Sequence, residues 1–172
     1  MNNRKTNPVG IDKEIDRIQK RIYQPLVDLW RELDVYGRAY KKQTEDGISL
    51  EVYKGNGEYE KILYSEGNKI FFVQGDKPSI KNSYAKNDLW LVCILNLDEI
   101  SNISHRADEE AHVDLVSLLQ NDLTGIEYGM NNLKRVVEDA FSFGNFKYSD
   151  IHPYHVFTIR MEVDYSLEKE QC

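Results

Sequence analysis

The run at residues 88–97, DLWLVCILNL, is apolar on both of its faces. Leu89, Leu91, Cys93 and Leu95 share one parity and Trp90, Val92 and Ile94 the other, so a strand built from them needs cover on both sides and belongs at the centre of a sheet. Near the other end, Phe157, Ile159, Met161, Val163 and Tyr165 alternate with Thr158, Arg160, Glu162 and Asp164. That period predicts a half-buried strand with one wet face, the natural partner of the first. Towards the start, Ile11, Ile15, Ile18, Ile22, Leu26, Leu29 and Leu33 recur at spacings of four and three, with Trp30 widening the stripe. This is a long amphipathic helix, with Asp12 and Glu14 near its exposed first amides. Pro25 removes an amide donor inside it while the apolar phase runs straight on, which predicts a kink or a one-turn break.

Between residues 35 and 75 the chain reads as short strands at 35–40, 48–53, 59–64 and 69–74. Gly55-Asn56-Gly57 and Glu66-Gly67-Asn68 supply residues that tolerate positive φ, so hairpins and antiparallel pairing are expected. Residues 75–87 have no period, and only Ile80 and Tyr84 are large apolar groups there; the segment reads as a mobile loop, either an assembly arm or a plain surface loop. Residues 101–104 offer N-cap side chains for a helix from about 105 to 120, with Ala111, Leu115, Leu118 and Leu119 on one face. A further helix is expected to hold Ile126, Met130, Leu133, Val137, Ala140 and Phe141, followed by a loop to residue 154. The predicted fold is α+β: a long N-terminal helix and two later helices packed on a mainly antiparallel sheet. It forms a single domain over 11–167, between a polar tail at 1–10 and a C-terminal tail at 168–172.

Composition changes this picture little. With 172 residues, 41% hydrophobic and 30% charged, the chain is an ordinary globular one. Its formal charge of -7 argues against a general nucleic-acid coat, which would want a Lys/Arg surplus, but not against a conduit that repels DNA. No apolar run approaches the roughly eighteen residues of a membrane span, and MNNRKTNPVG lacks an apolar signal core, so neither a membrane nor a signal peptide is expected. Cys93 falls in the most apolar strand and Cys172 at the end of the chain, a pattern suited to a reducing compartment.

Candidate chemistry is sparse. His105, Glu109 and His112 share one helix face, and Glu109-x-x-His112 has the spacing of half a di-iron carboxylate site. The second Glu-x-x-His that such a site needs does not occur in the chain. A mononuclear site from the same three residues would make the chain a cytosolic metal-assisted hydrolase; the other reading is a solvated polar face on the first helical turn. His152 and His155 flank Pro153 before the last strand, where His155 has the parity of the core. Neither Gly-x-Ser-x-Gly nor a Walker loop occurs, so no catalytic residue and no cofactor is expected. The chain has eleven tyrosines. An acidic chain gives a phosphate backbone little to bind, so they suit protein contact better than base stacking. Tyr36, Arg38, Tyr40 and Tyr53 on the early strands, with Lys77, Ile80 and Tyr84 in the segment 75–87, are the candidate subunit-contact residues.

Taken together, IQKRIYQPLVDLW, DVYGRAYK, EVYKGNGEYEKILYSEGNKIFFVQGD, NDLWLVCILNLDEI, HRADEEAH and PYHVFTIRMEVDYSL resemble the neck ring proteins of tailed phages, most closely those of the crAss-like group. The likeness runs over nearly the whole chain, and the element order is also similar to that of tail-completion, or tail-terminator, proteins. The resemblance implies a structural, non-enzymatic virion protein in a closed ring of six or twelve copies. Its neighbours would be portal, neck and tail ring proteins, with DNA only as passing, non-specific cargo and no membrane, after assembly in the host bacterial cytoplasm. Rings of this class commonly carry an acidic lumen strand or a long hairpin arm. An acidic wall fits the task, because a channel for exiting DNA works better if it does not bind phosphates.

Overall fold

In the computed structural model the run at 88–97 lies mostly in β8 (Tyr84–Asn96), in the middle of the main sheet. The described residues are 1–45, 47–62, 67–75, 77–100, 107–120, 127–128 and 153–168. Besides β8, the main sheet holds β1 (Asn2–Asn3), β2 (Leu33–Arg38), β6 (Asn68–Gln74), β7 (Ser79–Lys81), β9 (Glu127–Tyr128) and β10 (Tyr154–Ser166). A separate three-stranded sheet is made by β3 (Tyr40–Thr44), β4 (Gly47–Gly55) and β5 (Glu58–Lys61). The helices are α1 (Ile11–Leu29) and α2 (Asp108–Leu119).

Both faces of β8 are covered, as its two-sided apolar pattern requires. Leu89, Leu91, Cys93 and Leu95 join the core under the helices, with Ile15, Ile22, Leu26, Leu115 and the inward residues of β10. Val92 and Ile94 pack with Phe71, Val73, Leu50, Val52 and Ile62, under the small sheet. The molecule is thus three layers: helices, main sheet, small sheet. The long pairing of β10 with β8 is antiparallel, with Phe157 opposite Cys93 and Val163 opposite Asn87, so the predicted partnership holds. Burial raises the Cys93 thiol well above its ordinary range, which leaves it an inert core group.

Helix α1 buries Ile11, Ile15, Ile18, Ile22 and Leu26 and runs through Pro25 without a break. Ile22 and Leu26, both wholly buried on either side of the proline, keep the two turns on one packed surface. The apolar stripe ends sooner than its spacing suggests. Leu29 is 48% exposed, Trp30 turns to an extended backbone, and Leu33 begins β2. The Trp30 indole donates to Asp114 of α2 at 3.0 Å, tying the helices together.

The expected α+β arrangement is corrected. Only two α-helices occur among the described residues, and the chain is a strand-rich mixed α/β structure. Its main sheet is mixed: β1, β2 and β6 are parallel neighbours, while β6, β8, β10 and β9 are antiparallel. After β2 the chain builds β3, β4 and β5 over the far face and then re-enters beside β2 in the same direction. Gly55, Asn56 and Gly57 make the expected hairpin with φ of 121°, 52° and 81°. Gly67 also has positive φ, yet leads into a parallel neighbour rather than a hairpin. Helix α2 begins at Asp108 with Ala107 at its N-cap, not at His105; its proposed caps at 101–104 lie outside the described residues. Of the further helix expected at 126–141, Glu127 and Tyr128 form β9 instead, and the other positions lie outside the described residues.

Two segments expected to be loose are built into the sheet. Asn2 and Asn3 pair with Val35 and Tyr36, and the next two residues supply cations to α1: Lys5 to Asp12 at 2.7 Å and Arg4 to Asp16 at 2.5 Å. Arg38 also reaches Asp12 at 3.0 Å, and Lys20 reaches Asp16 at 2.8 Å. The polar N-terminus is ordered because it satisfies two buried carboxylates. Burial alone would raise the Asp16 carboxyl, but hydrogen bonds and charges from Arg4 and Lys20 outweigh it and hold it below its ordinary range. A depressed carboxylate stabilises the fold above the unfolded value of about 4 and loses that contribution as pH falls through its folded value. Asp16→Asn should therefore flatten the acid limb of stability measured by urea unfolding below about pH 4. An unchanged limb would remove Asp16 from the acid response.

The other segment is 75–87. Strands β6 and β7 run in one direction along the same side of β8, separated by residues 75–78, and Asn82 with φ 56° turns the chain into β8. A hairpin thus replaces the predicted loop. Strand pairing satisfies the backbone polar groups without burying side chains, which a count of apolar residues does not register.

Candidate functional site

Near the start of α1 the main sheet is three-stranded, made of β7, the start of β8 and the end of β10. Ile80 sits opposite Ala85, which sits opposite Tyr165; Lys81 sits opposite Tyr84, which sits opposite Ser166. Cross-strand partners share a face, so Ile80 belongs to the helix side and Tyr84 to the other. Ile80 is 62% and Tyr84 64% exposed. Leu167, whose amide donates to the Ser83 carbonyl at 2.8 Å, adds a third exposed apolar side chain at the same end. Lys77 and Lys81 are exposed beside them, and Lys86 pairs with Glu162 at 2.5 Å. This hairpin gathers Lys77, Ile80 and Tyr84, three of the seven candidate contact residues.

The other four are held within the chain. Tyr36 is buried between the sheets, where its hydroxyl donates to Glu60 at 2.9 Å. Burial first, and then the carboxylates of Asp34 and Glu60, push that hydroxyl far above the ordinary tyrosine range, so it stays a donor. The alternation of β2 turns Tyr36 towards the small sheet of its own chain. Arg38 pairs with Asp12, donates to Gln74 and lies 5.0 Å over the Tyr40 ring. Tyr40 and Tyr53 each meet Tyr59 edge-on at 5.6 Å. These rings are half-buried within one subunit, with Tyr59 the most exposed of them.

Of the proposed metal set, Glu109 is exposed on the first turn of α2 and His105 lies outside the described residues. Among the described residues no group of three or more His, Cys, Asp or Glu side chains is placed to hold a metal ion. The His112 ring instead meets His155 of β10, with Nε2 to Nε2 at 3.2 Å. The spacing of residues along α2 could not reveal that partner. A cleft of about 350 Å³ also escaped sequence reasoning; Asp34, Tyr36, Lys54, Glu60, Lys61 and Lys69 line it between the two sheets. Lys54 pairs with Glu60 at 2.9 Å and the terminal amine with Asp34 at 2.7 Å, so much of its charge is internally matched. No helix among the described residues is long and apolar enough to cross a membrane.

Compared with protein-family models, curated proteins and solved structures, the chain gives no match.

Proposed function

We propose that the chain is a structural ring subunit in the neck of a tailed phage, joining the capsid portal to the tail and bounding the channel through which DNA leaves. The observation that carries the reading is the short hairpin β7–β8, which presents Ile80 and Tyr84 to solvent and so offers a neighbouring subunit apolar surface to cover. Two large apolar groups held in water on a paired backbone gain roughly 1.5–3 kcal/mol each when fully covered. The neighbouring Lys77 and Lys81 suit an acidic surface, which a copy of a chain with net charge -7 provides. The same negative balance suits a wall that lets phosphates pass. Partners on this reading are further copies of the chain and adjoining portal, neck or tail rings, in the virion.

Native mass spectrometry and sizing chromatography of the full chain test this, alongside an Ile80→Asp, Tyr84→Asp double variant. The expected result is a discrete closed oligomer that the double variant loses while its melting temperature stays within a few degrees of wild type, since both side chains are exposed within one subunit. A chain that stays monomeric at high concentration, or a double variant that assembles normally, would overturn the role of the hairpin.

A further inference from the structure

We infer that His112 and His155 form a two-imidazole site for a divalent transition-metal ion, which would clip α2 to the start of β10. The inference is independent of the ring reading, and of the set His105, Glu109 and His112 it keeps His112 alone. Its first support is distance. Zinc–nitrogen bonds of about 2.0–2.1 Å in a tetrahedral sphere separate two donor nitrogens by about 3.3–3.4 Å. The two Nε2 atoms already stand 3.2 Å apart, on residues 43 positions apart in the chain.

Its second support is that both rings are held. His112 meets the buried Phe157 ring edge-on at 4.2 Å with 74° between planes, and the His155 ring centre lies 5.6 Å from the same phenyl. Ala111 and Leu115, wholly buried on either side of His112, fix the turn of α2 that carries it. His155 is fixed by its place in β10 opposite Leu95. Phe157 is thus a common wall against which both imidazoles are set, a preorganised pair rather than two free surface histidines.

Chemistry selects the ligand class. Two neutral imidazoles suit Zn2+, Ni2+ or Cu2+ and not the hard oxygen-seeking cations, and water would complete the sphere. Without metal the pair shares one hydrogen bond, in which one Nε2–H donates to the other Nε2. Binding needs both Nε2 lone pairs, so the donor ring moves its proton from Nε2 to Nδ1. The exchange is between tautomers of a neutral ring, and no proton is gained or lost overall. The role of the ion is a cross-link: it joins a helix of one layer to a strand of the next.

The test is titration calorimetry of the full chain with Zn2+ and with Ni2+, together with thermal melts and Cu2+ electron paramagnetic resonance of the wild-type protein. Expected are one ion per chain, a melting temperature raised by several degrees in excess metal, and coupling of the bound Cu2+ to two imidazole nitrogens. His112→Gln and His155→Gln should each weaken binding on the order of tenfold or more, whereas Glu109→Gln, at an exposed position on α2, should leave it unchanged. The resonance of the wild-type ion reads the ligand number even if a variant folds poorly. Absence of binding, wild-type affinity in both His→Gln variants, dependence on Glu109, or a resonance without two imidazoles would each overturn the site and leave a hydrogen-bonded histidine pair.

Discussion

Leu91→Ala and Ile94→Ala are each expected to lower folding stability by about 2–5 kcal/mol, a large share of the total for a domain of this size. Both side chains are wholly buried in β8, but they face opposite layers: Leu91 the helices and Ile94 the small sheet. Each truncation removes apolar contact and leaves a cavity between elements that are already paired on both edges, so the walls cannot close on it. The two sites share a strand but no cluster, so the double variant should lose close to the sum of the single losses. Urea unfolding with a common slope reads this directly. A loss below about 1 kcal/mol for Ile94→Ala alone would mean that the small sheet is not a packed layer of the fold.

The second large effect is expected at Asn68, a wholly buried polar residue at the start of β6. Its side-chain amide donates to the Arg31 carbonyl at 2.6 Å and its side-chain oxygen accepts from the Asn96 amide at 2.8 Å. One residue thus joins the end of α1, the entry to β6 and the end of β8. Asn68→Ala removes both bonds and strands two backbone groups, at a cost of about 2–4 kcal/mol. Asn68→Leu keeps much of the volume and should lose nearly as much, because the loss is of hydrogen bonds rather than of packing. If the leucine variant melts like wild type, the polar tie contributes nothing measurable.

Much of the fold was legible in the chain because burial writes itself at short range. The parities of residues 88–97 and 157–165, and the four-and-three spacing from Ile11 to Leu26, each record which side of one local element meets the core. At Pro25 the lost amide bond is local, and α1 continues as one helix because the packing of Ile22 and Leu26 comes from the sheet beneath. The segment 75–87 reads as a loop because its polar side chains say little about a backbone that pairs with β8. Tyr36, a candidate for subunit contact by its residue type, ties the two sheets of one chain through Glu60, a partner 24 positions away that no local pattern records.

The amino-acid sequence by itself determined the helix α1, the central strand β8, its partner β10 and the Gly55-Asn56-Gly57 hairpin, since each follows from side-chain period or backbone freedom within a few residues; that Val156 and Thr158, on the face of β10 expected to be wet, are buried too was set by the fold. Tertiary structure alone decided that β6 lies parallel to β2, that the small sheet covers the second face of β8, and that His112 meets His155 across 43 positions. Period tells which face of a strand is dry and is blind to the direction of its neighbour. Pairings between distant segments are chosen by the competition of whole surfaces for cover, and no local pattern records its outcome.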